Sequence, residues 1–190
     1  MFLVFNKEKV CSYIIALSTI VIILGIATII SDKNFETAFA SSTNKLIPIY
    51  NVKTDEKQIA FTMNCAWNAD DIDSILDTLS KNKIHITFFI VGDWAEKYPE
   101  AVKKIFKAGH EIANHSNTHP HVNNLNLSEN AEEIERASKK IEEITGQQTN
   151  LYRAPYGEYN NTVLNAAKEK KHITIQWNID TLDYTRNNWR

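Results

Sequence analysis

The sequence predicts an α/β fold in which helices pack outside a sheet of parallel strands. From Gln58 onward, short apolar runs of strand length alternate with segments whose apolar residues recur at helical spacing. The run at 84–91 is mostly β-branched and aromatic, as in strands that are buried on both faces. Four polar clusters also follow predicted strands, and the functional groups of such folds collect at the carboxyl ends of parallel strands.

The first half of the domain supplies three strands and two helices in this pattern. The strands are predicted at residues 59–63, 84–91 and 111–114. The first helix carries apolar residues at helical spacing, namely Ile72, Ile75, Leu76 and Leu79. Asp70 or Asp71 is suited to cap its start. The second helix is predicted to begin at Pro99, which suits a first turn, and to end at Gly109.

The second half continues the alternation with two helices and two strands. Ser128 is predicted to cap the longer helix, which Gly146 ends. A second helix runs through Val163, Leu164 and Ala167. The strands are predicted at residues 151–154 and 173–179. The strand–helix unit therefore repeats along the domain, which favours parallel strands.

The segment 108–121 carries the chemistry that is easiest to interpret. Four of the six histidines lie between positions 110 and 121, and three residues separate His115 from His119. Neutral imidazole is the commonest protein ligand for zinc-like metals, and one short segment offers two of them without long loop closure. A polar loop rich in histidine is the competing interpretation. We expect His115 and His119 to ligate a divalent metal, with zinc as the first candidate.

The N-terminal segment predicts that the domain lies outside the cytoplasm. Residues 10–30 carry no formal charge, and as a helix they can cross a hydrocarbon core of about 30 Å. Lys7 and Lys9 precede them, which favours a cytoplasmic tail at 1–9 and a single-pass protein of the cell membrane. A cleaved signal peptide is the alternative, because residues 38–40 (Ala-Phe-Ala) resemble a cleavage site, and the domain would then be secreted.

The remaining composition limits the class of partner. Residues 31–55 are polar with few apolar anchors and are expected to form a linker, so the domain spans residues 56–190. This length, about 135 residues, is enough for one domain with its own core. The net charge is −2 and the basic residues are scattered, which excludes an electrostatic footprint for nucleic acid. Cys11 and Cys65 are not expected to pair, so the domain must be stable without a disulfide.

Ordered motifs over residues 57–186 resemble those of the polysaccharide deacetylases of the NodB-homology superfamily. The motifs are Thr87-Phe88-Phe89, Gly109-His110-Glu111, His115-x-x-x-His119-Pro120 and Arg153-x-Pro155-Tyr156-Gly157. The chain is especially similar to the membrane-anchored sporulation type of spore-forming bacteria. The resemblance implies a distorted (β/α) barrel, a divalent metal held by two histidines and a carboxylate, and hydrolysis of N-acetyl groups on cell-wall glycan such as peptidoglycan or a chitin-like polymer.

The resemblance also implies roles for particular residues. His115 and His119 would be the imidazole ligands of the metal, which polarises the acetamide carbonyl and activates a water. Arg153 would carry a fixed charge that orients an acidic partner. The backbone near Pro155 and Tyr156 would donate to the developing oxyanion.

Acidic and aromatic residues complete the implied groove. Asp180 and Asp183 resemble the family's acidic motif, which supports this arginine or lines the groove. Aromatic side chains stack well on sugar rings. The candidates for such stacking are Trp67, Trp94, Tyr156 and Trp177. Core packing is the alternative role for each of them.

Two departures from the family pattern bear on turnover. The family's first strand normally ends in an aspartate that serves as general base, whereas this chain has Asn64, and an amide cannot accept a proton near neutral pH. The adjacent metal-binding aspartate is replaced by Cys65. Asp70 or Asp71 would then supply the carboxylate to the metal, with helix capping as the alternative role.

The second departure is the end of the chain at Arg190. It precedes the family's leucine-x-histidine motif, whose histidine acts as general acid, and this predicts a truncated reading frame or an incomplete sequence. Two hypotheses about function follow. The first is a metal-dependent N-deacetylase, and the second is a catalytically impaired relative that binds glycan without turnover.

Overall fold

The computed structural model describes residues 16–22 and 45–182. The chain divides into two units, residues 1–44 and 45–190, and the second holds the predicted domain. Residues 16–22 are helical. Within the described ranges, no helix is long and apolar enough to cross a membrane. Most of the segment 10–30 lies outside these ranges, so the membrane anchor stays a prediction.

Within residues 45–182, five parallel strands form one sheet, which confirms the predicted class of fold. The strands are β1 (Thr62–Cys65), β2 (Thr87–Ile90), β3 (Glu111–Asn114), β4 (Leu151–Tyr152) and β5 (Ile173–Thr174). Neighbours in the sheet are also neighbours along the chain, as short helical crossovers produce. This order is consistent with the barrel that the resemblance implies. Beyond β5, Ile49 forms an isolated parallel bridge with Ile175.

Helices connect the strands, and one of them was not predicted. Within residues 45–182 the α-helices are α1 (Ile72–Lys81), α2 (Gly92–Lys97), α3 (Pro99–Lys107), α4 (Leu127–Thr145) and α5 (Asn161–Glu169). The unpredicted helix is α2, whose six residues are too few to show an apolar period. Its first residue must be small, because a Cβ at Gly92 would lie 2.5 Å from Oδ1 of Asn117 and 3.0 Å from Cα of Ala137.

The predicted cap of α4 is wrong. Ser128 lies inside the helix, and Asn126 is the capping residue. The side chain of Asn126 accepts from the backbone N–H of Glu129 at 3.0 Å, and the Glu129 carboxylate accepts from the Asn126 N–H at 2.8 Å. This reciprocal pair satisfies two N–H groups that the helix start leaves without a helical partner.

Four of the five strands are shorter than predicted. β2 covers four of the residues 84–91, and β4 covers two of the residues 151–154. β1 begins at Thr62 rather than at residue 59, and Ile59 is 75% exposed. β5 ends at Thr174 rather than at residue 179, and only the bridge at Ile175 continues the pairing. Apolar character alone therefore overestimates both outer strands, because backbone pairing among the described residues begins at Phe61 on one side and ends at Gln176 on the other, short of the predicted ends.

Two clusters of buried apolar residues hold the helices against the sheet. The first joins α1, α2 and α3 to β1 and β2, with Ile72, Phe88, Ile90, Trp94 and Ile105 among its members. The second joins α4 and α5 to β4, with Ile134, Tyr152 and Val163 among its members. Since these clusters fix the strands, the loops at their carboxyl ends meet at one edge of the sheet.

Candidate active site

His115 directly follows β3 and is held by the backbone of the next strand connection. The residue is 2% exposed, and its Nδ1 lies 2.7 Å from the carbonyl oxygen of Arg153. A carbonyl only accepts hydrogen bonds, so Nδ1 carries the proton and Nε2 keeps the lone pair that binds metals. Burial lowers the pKa of His115 to about 3, and the ring is therefore neutral near pH 7.

His119 faces His115 from the far end of the same loop. The two ring centroids lie 5.0 Å apart in an edge-to-face arrangement. Nδ1 of His119 is buried and has no hydrogen-bond partner within the described residues. Burial lowers the pKa of His119 as well. Two neutral imidazoles, one of them with an unpaired ring nitrogen, fit a divalent metal ion.

The third protein ligand that the resemblance implies has no observed counterpart among the described residues. Among the residues that the structure describes, no three His, Cys, Asp or Glu side chains are grouped so that they could hold a metal. Asp71 immediately precedes α1. Burial of the Cys65 thiol raises its pKa to about 12, and the negative charge of Asp71 contributes to this rise. That thiol is therefore protonated at neutral pH. The other candidate, Asp70, accepts a hydrogen bond from the side-chain amide of Asn68 at 3.4 Å. Ligation by Asp71 stays a prediction.

Arg153 follows β4 and binds the end of β1. It is 3% exposed, its Nη1 donates to Oδ1 of Asn64 at 2.9 Å, and its Nη2 donates to Oγ1 of Thr62 at 2.9 Å. A guanidinium has only donors, so the oxygen of the Asn64 amide must face it and the Nδ2 group faces away. The Asn64 side chain, at the position to which the resemblance assigns the family's general base, therefore presents its N–H donors on the side away from Arg153.

The charge of Arg153 lies against aromatic faces. Its Cζ is 3.9 Å from the ring centroid of Phe89 and 5.4 Å from that of Trp177. No carboxylate of the described residues forms an ion pair with it. Desolvation lowers the pKa of Arg153 to about 10, which leaves it charged at neutral pH.

The expected support of Arg153 by Asp180 is not observed. Asp180 is exposed, and its carboxylate accepts from the backbone N–H of Leu182 at 2.9 Å. Aspartate often bonds the backbone two residues ahead, and this local contact competes with a distant partner. Asp183 lies outside the described residues, so its role stays a prediction.

Exposed rings border the two histidines. Trp67 is 75% exposed with its ring 5.8 Å from that of His119, and Tyr156 is 54% exposed at 4.7 Å from the same ring. His121 stacks on Tyr156 at 4.2 Å, and its Nδ1 lies 2.7 Å from a carboxylate oxygen of Glu158. Such a surface has the flat apolar faces and polar edges that suit sugar rings.

The other predicted aromatic contacts have structural roles. Trp94 is 3% exposed and its indole N–H donates to a backbone carbonyl at 2.9 Å, which favours core packing, the alternative role for this residue. Trp177 packs against Gly157, where a Cβ would lie 2.9 Å from the ring. Pro155 is buried in a 3₁₀ turn in which Tyr156 has φ of 58°, and that ring remains exposed.

Three contacts of the site were not predicted. Thr62 lies two residues before Asn64, so both side chains belong to one face of β1. This two-residue period could have predicted that Arg153 contacts both of them. The carbonyl of Gln176 accepts from Arg153 at 3.4 Å, and a backbone contact leaves no trace in side-chain patterns. Glu133 binds the histidine loop from α4, and its distance in sequence hides the contact.

Residues 51–174 match the family model described as polysaccharide deacetylase, and the chain belongs to this family. It is 33% identical to the uncharacterized protein YlxY of Bacillus subtilis over 139 residues, which are 73% of this chain and 44% of YlxY. It is 32% identical to a peptidoglycan-N-acetylglucosamine deacetylase of Bacillus cereus over 130 residues, 68% of this chain and 47% of that protein.

Solved structures show the same relationship. The CE4-family pseudoenzyme BA3943 of Bacillus anthracis aligns with a TM-score of 0.71 and 31% identity, over 74% of this chain and 50% of that one. A mutant of BA3943 described as having restored enzymatic activity aligns equally well, with a TM-score of 0.71, 31% identity and coverage of 74% and 52%. The peptidoglycan deacetylase PdaC of Bacillus subtilis aligns with a TM-score of 0.63 and 34% identity, over 70% and 64%. The chain spans about half the length of the curated relatives named above.

Proposed function

We propose that this domain binds N-acetylated cell-wall glycan at the carboxyl ends of its strands and removes its N-acetyl groups slowly or not at all. One observation carries the proposal. The amide oxygen of Asn64, at the position to which the resemblance assigns the family's general base, accepts from Arg153 at 2.9 Å. This oxygen is engaged by the guanidinium, and an amide nitrogen accepts no proton near neutral pH.

Hydrolysis of an acetamide needs one proton taken from water and another given to the leaving amine. A bound divalent ion, for which we propose zinc, would polarise the carbonyl and lower the pKa of a water. Positioned side chains contribute typically about 10²–10⁴-fold at each proton transfer. Without a carboxylate at position 64, the chain lacks the first of these contributions.

The remaining side chains suit binding. Trp67 and Tyr156 are exposed beside His119, and we propose that they stack on sugar rings while the backbone near Tyr156 donates to the acetyl oxygen. Arg153 holds Asn64 in one orientation. The Nδ2 donors of Asn64 would then meet an acceptor on the glycan rather than activate a water.

The relatives support both parts of the proposal. The Bacillus cereus and Bacillus subtilis deacetylases act on peptidoglycan by name, which supports that polymer as the ligand class. The likeness to a pseudoenzyme supports loss of turnover. A metal-dependent deacetylase is the second candidate, and the neutral pair of His115 and His119 favours it.

Calorimetric titration with an N-acetylated chitooligosaccharide tests the binding half. The wild-type protein should bind, and Trp67→Ala should weaken binding because a stacking face is lost. Ile59→Ala is the matched control, since Ile59 and Trp67 are both 75% exposed and Ile59 lies ahead of β1, outside the site. Absence of binding by the wild type, or equal effects of both substitutions, would contradict the proposal.

Restoration of the carboxylate tests the other half. Asn64→Asp should raise acetate release, because it returns a base beside Arg153 at the position where the family has one. Asn150→Asp adds the same charge to an exposed residue just ahead of β4, away from the carboxyl ends of the strands, and should leave the rate unchanged. Equal rates in the wild type and in Asn64→Asp would show that the amide is not what limits turnover.

We also propose that residues 10–30 anchor the protein in the cell membrane with the domain outside, a signal peptide being the alternative. The uncharged run and the preceding lysines support this orientation. Protease added to intact protoplasts should digest the domain if it is anchored outside. A domain protected until the cells are lysed would contradict the orientation, and release into the medium would indicate cleavage.

A further inference from the structure

The loop that carries the two histidines has an unusual backbone. Ser116 has φ of 69° and His119 has φ of 59°, values in the left-handed region that residues with a side chain seldom adopt. Such a backbone persists only where surrounding contacts hold it. The contacts of residues 116–118 are therefore part of what places the two imidazole rings.

One carboxylate of α4 accepts hydrogen bonds from every residue of this stretch. Oε2 of Glu133 accepts from Oγ of Ser116 at 2.8 Å and from the backbone N–H groups of Asn117 and Thr118 at 3.0 and 2.9 Å. Oε1 of Glu133 accepts from Oγ1 of Thr118 at 3.2 Å. The four contacts need acceptor oxygens at one place against the loop, and the length of the Glu133 side chain provides that placement.

The carbonyl side of the loop is held by α2. The backbone N–H groups of Gly92 and Asp93 donate to the carbonyl oxygens of Ser116 and Asn117, both at 2.9 Å. The loop is thus bound on two sides, through its carbonyl groups by one helix and through its N–H and hydroxyl groups by Glu133. Release of either side frees the backbone to leave the left-handed conformation.

We propose that Glu133 is the positioning residue of the histidine loop. Its carboxylate fixes residues 116–118 so that the rings of His115 and His119 face each other at 5.0 Å. Glu133 acts on the two rings through the loop backbone. The length of its side chain, which sets where its oxygens meet the loop, matters more than its charge. Groups that orient metal ligands in this way typically change metal affinity by about 10–100-fold.

Two conservative substitutions separate the effect of side-chain length from that of charge. Glu133→Gln keeps the length of the side chain, and its amide oxygen can accept from the loop while its NH₂ group donates to Oγ1 of Thr118. Glu133→Asp keeps the charge but is one methylene shorter. Glu132→Asp is the matched control, because the Glu132 side chain is 68% exposed and its ion pair with Arg136 spans 3.9 Å.

The decisive readout is the contact between the two rings, measured by NMR on the full-length protein in detergent micelles. We expect Glu133→Gln to keep the ring-to-ring contact and the slow amide exchange of Asn117 and Thr118. Glu133→Asp should lose the ring-to-ring contact. The amide hydrogens of Asn117 and Thr118 should then exchange at least about 10-fold faster, because local unfolding of the loop costs less free energy. The control should match the wild type.

Zinc titration adds a second readout, which rests on the proposed metal site. Glu133→Asp should bind zinc about 10–100-fold more weakly, and Glu133→Gln within a few-fold of the wild type. A wild type that binds no zinc refutes the metal proposal, while the NMR contact still decides the role of Glu133. An unchanged ring contact in Glu133→Asp overturns the inference, and so does its loss in Glu133→Gln alone, which would indicate charge rather than side-chain length.

Discussion

The contact between Asn64 and Arg153 governs which chemistry the site supports. A buried guanidinium normally requires an anionic partner, yet here Nη1 donates to a neutral amide oxygen at 2.9 Å. The face of Phe89, 3.9 Å from Cζ, supplies part of the missing stabilisation. Asparagine fits this contact because it offers an oxygen acceptor of the same reach as aspartate.

Metal binding is the first prediction at the residue scale. The purified protein should bind about one divalent ion per chain, since two neutral imidazoles face each other at 5.0 Å. Simultaneous His115→Ala and His119→Ala substitutions should abolish the bound ion, as measured by elemental analysis after dialysis. Asp71→Asn should have a smaller effect. Equal metal content in the wild type and in the double variant would contradict the assignment.

Residue roles that depend on local sequence were the ones that could be predicted. The spacing of His115 and His119 is local, and the structure places their rings in contact. The pairing of Asp180 with Arg153 is not local, and within the described residues Asp180 bonds the backbone of Leu182 instead. The burial of Trp94 in the core is likewise set by packing between elements. Such contacts depend on how elements pack, which periodicity does not reveal.

At the scale of elements, the start of α4 yields the second prediction. Asn126→Ala should lower the free energy of unfolding by about 1 kcal/mol, because it removes the capping side chain. Ser128→Ala should change it much less, since Ser128 lies within the helix and alanine favours helices. Chemical denaturation followed by circular dichroism measures both, and equal losses would contradict the capping box.

The order of elements was predictable, but their ends were not. The alternation of strand and helix patterns predicts that the strands are parallel, because each crossover returns the chain to the same end of the sheet. The sequential order β1 to β5 is consistent with the barrel that the resemblance implies. The ends depend on pairing partners and caps, as the early start predicted for β1 illustrates. The helix α2 depends on the close packing of Gly92 against α4, which no apolar period records.

At the scale of the whole molecule, buried histidines couple stability to pH. Burial is the first cause of a lowered pKa at four of them, His110, His115, His119 and His172. In the unfolded chain the pKa of each of these histidines returns to about 6.5. Below that pH the unfolded state therefore binds protons that the folded state does not. The free energy of unfolding should therefore fall as pH falls below about 6.5, by up to about 1.4 kcal/mol per pH unit for each fully neutral histidine.

His172 isolates one such contribution away from the histidine loop. Its Nδ1 lies 2.6 Å from the carbonyl oxygen of Lys170, so Nε2 accepts from Oγ1 of Thr149 at 2.9 Å and must stay unprotonated to do so. His172→Gln should make the loss of stability between about pH 7 and pH 5 shallower. Urea denaturation at several pH values measures the slope. A slope equal to that of the wild type would contradict the coupling.

Release of acetate from an N-acetylated chitooligosaccharide by the unmodified protein, saturated with zinc and with glycan, tests the central claim most directly. Active enzymes typically turn over at about 1–10³ s⁻¹. With Asn64 in place of a base, the rate should lie at least about 10²-fold below that range, and Asn64→Ala should not lower it further. Release of acetate within the range of active enzymes would contradict the claim that this site binds glycan without efficient turnover.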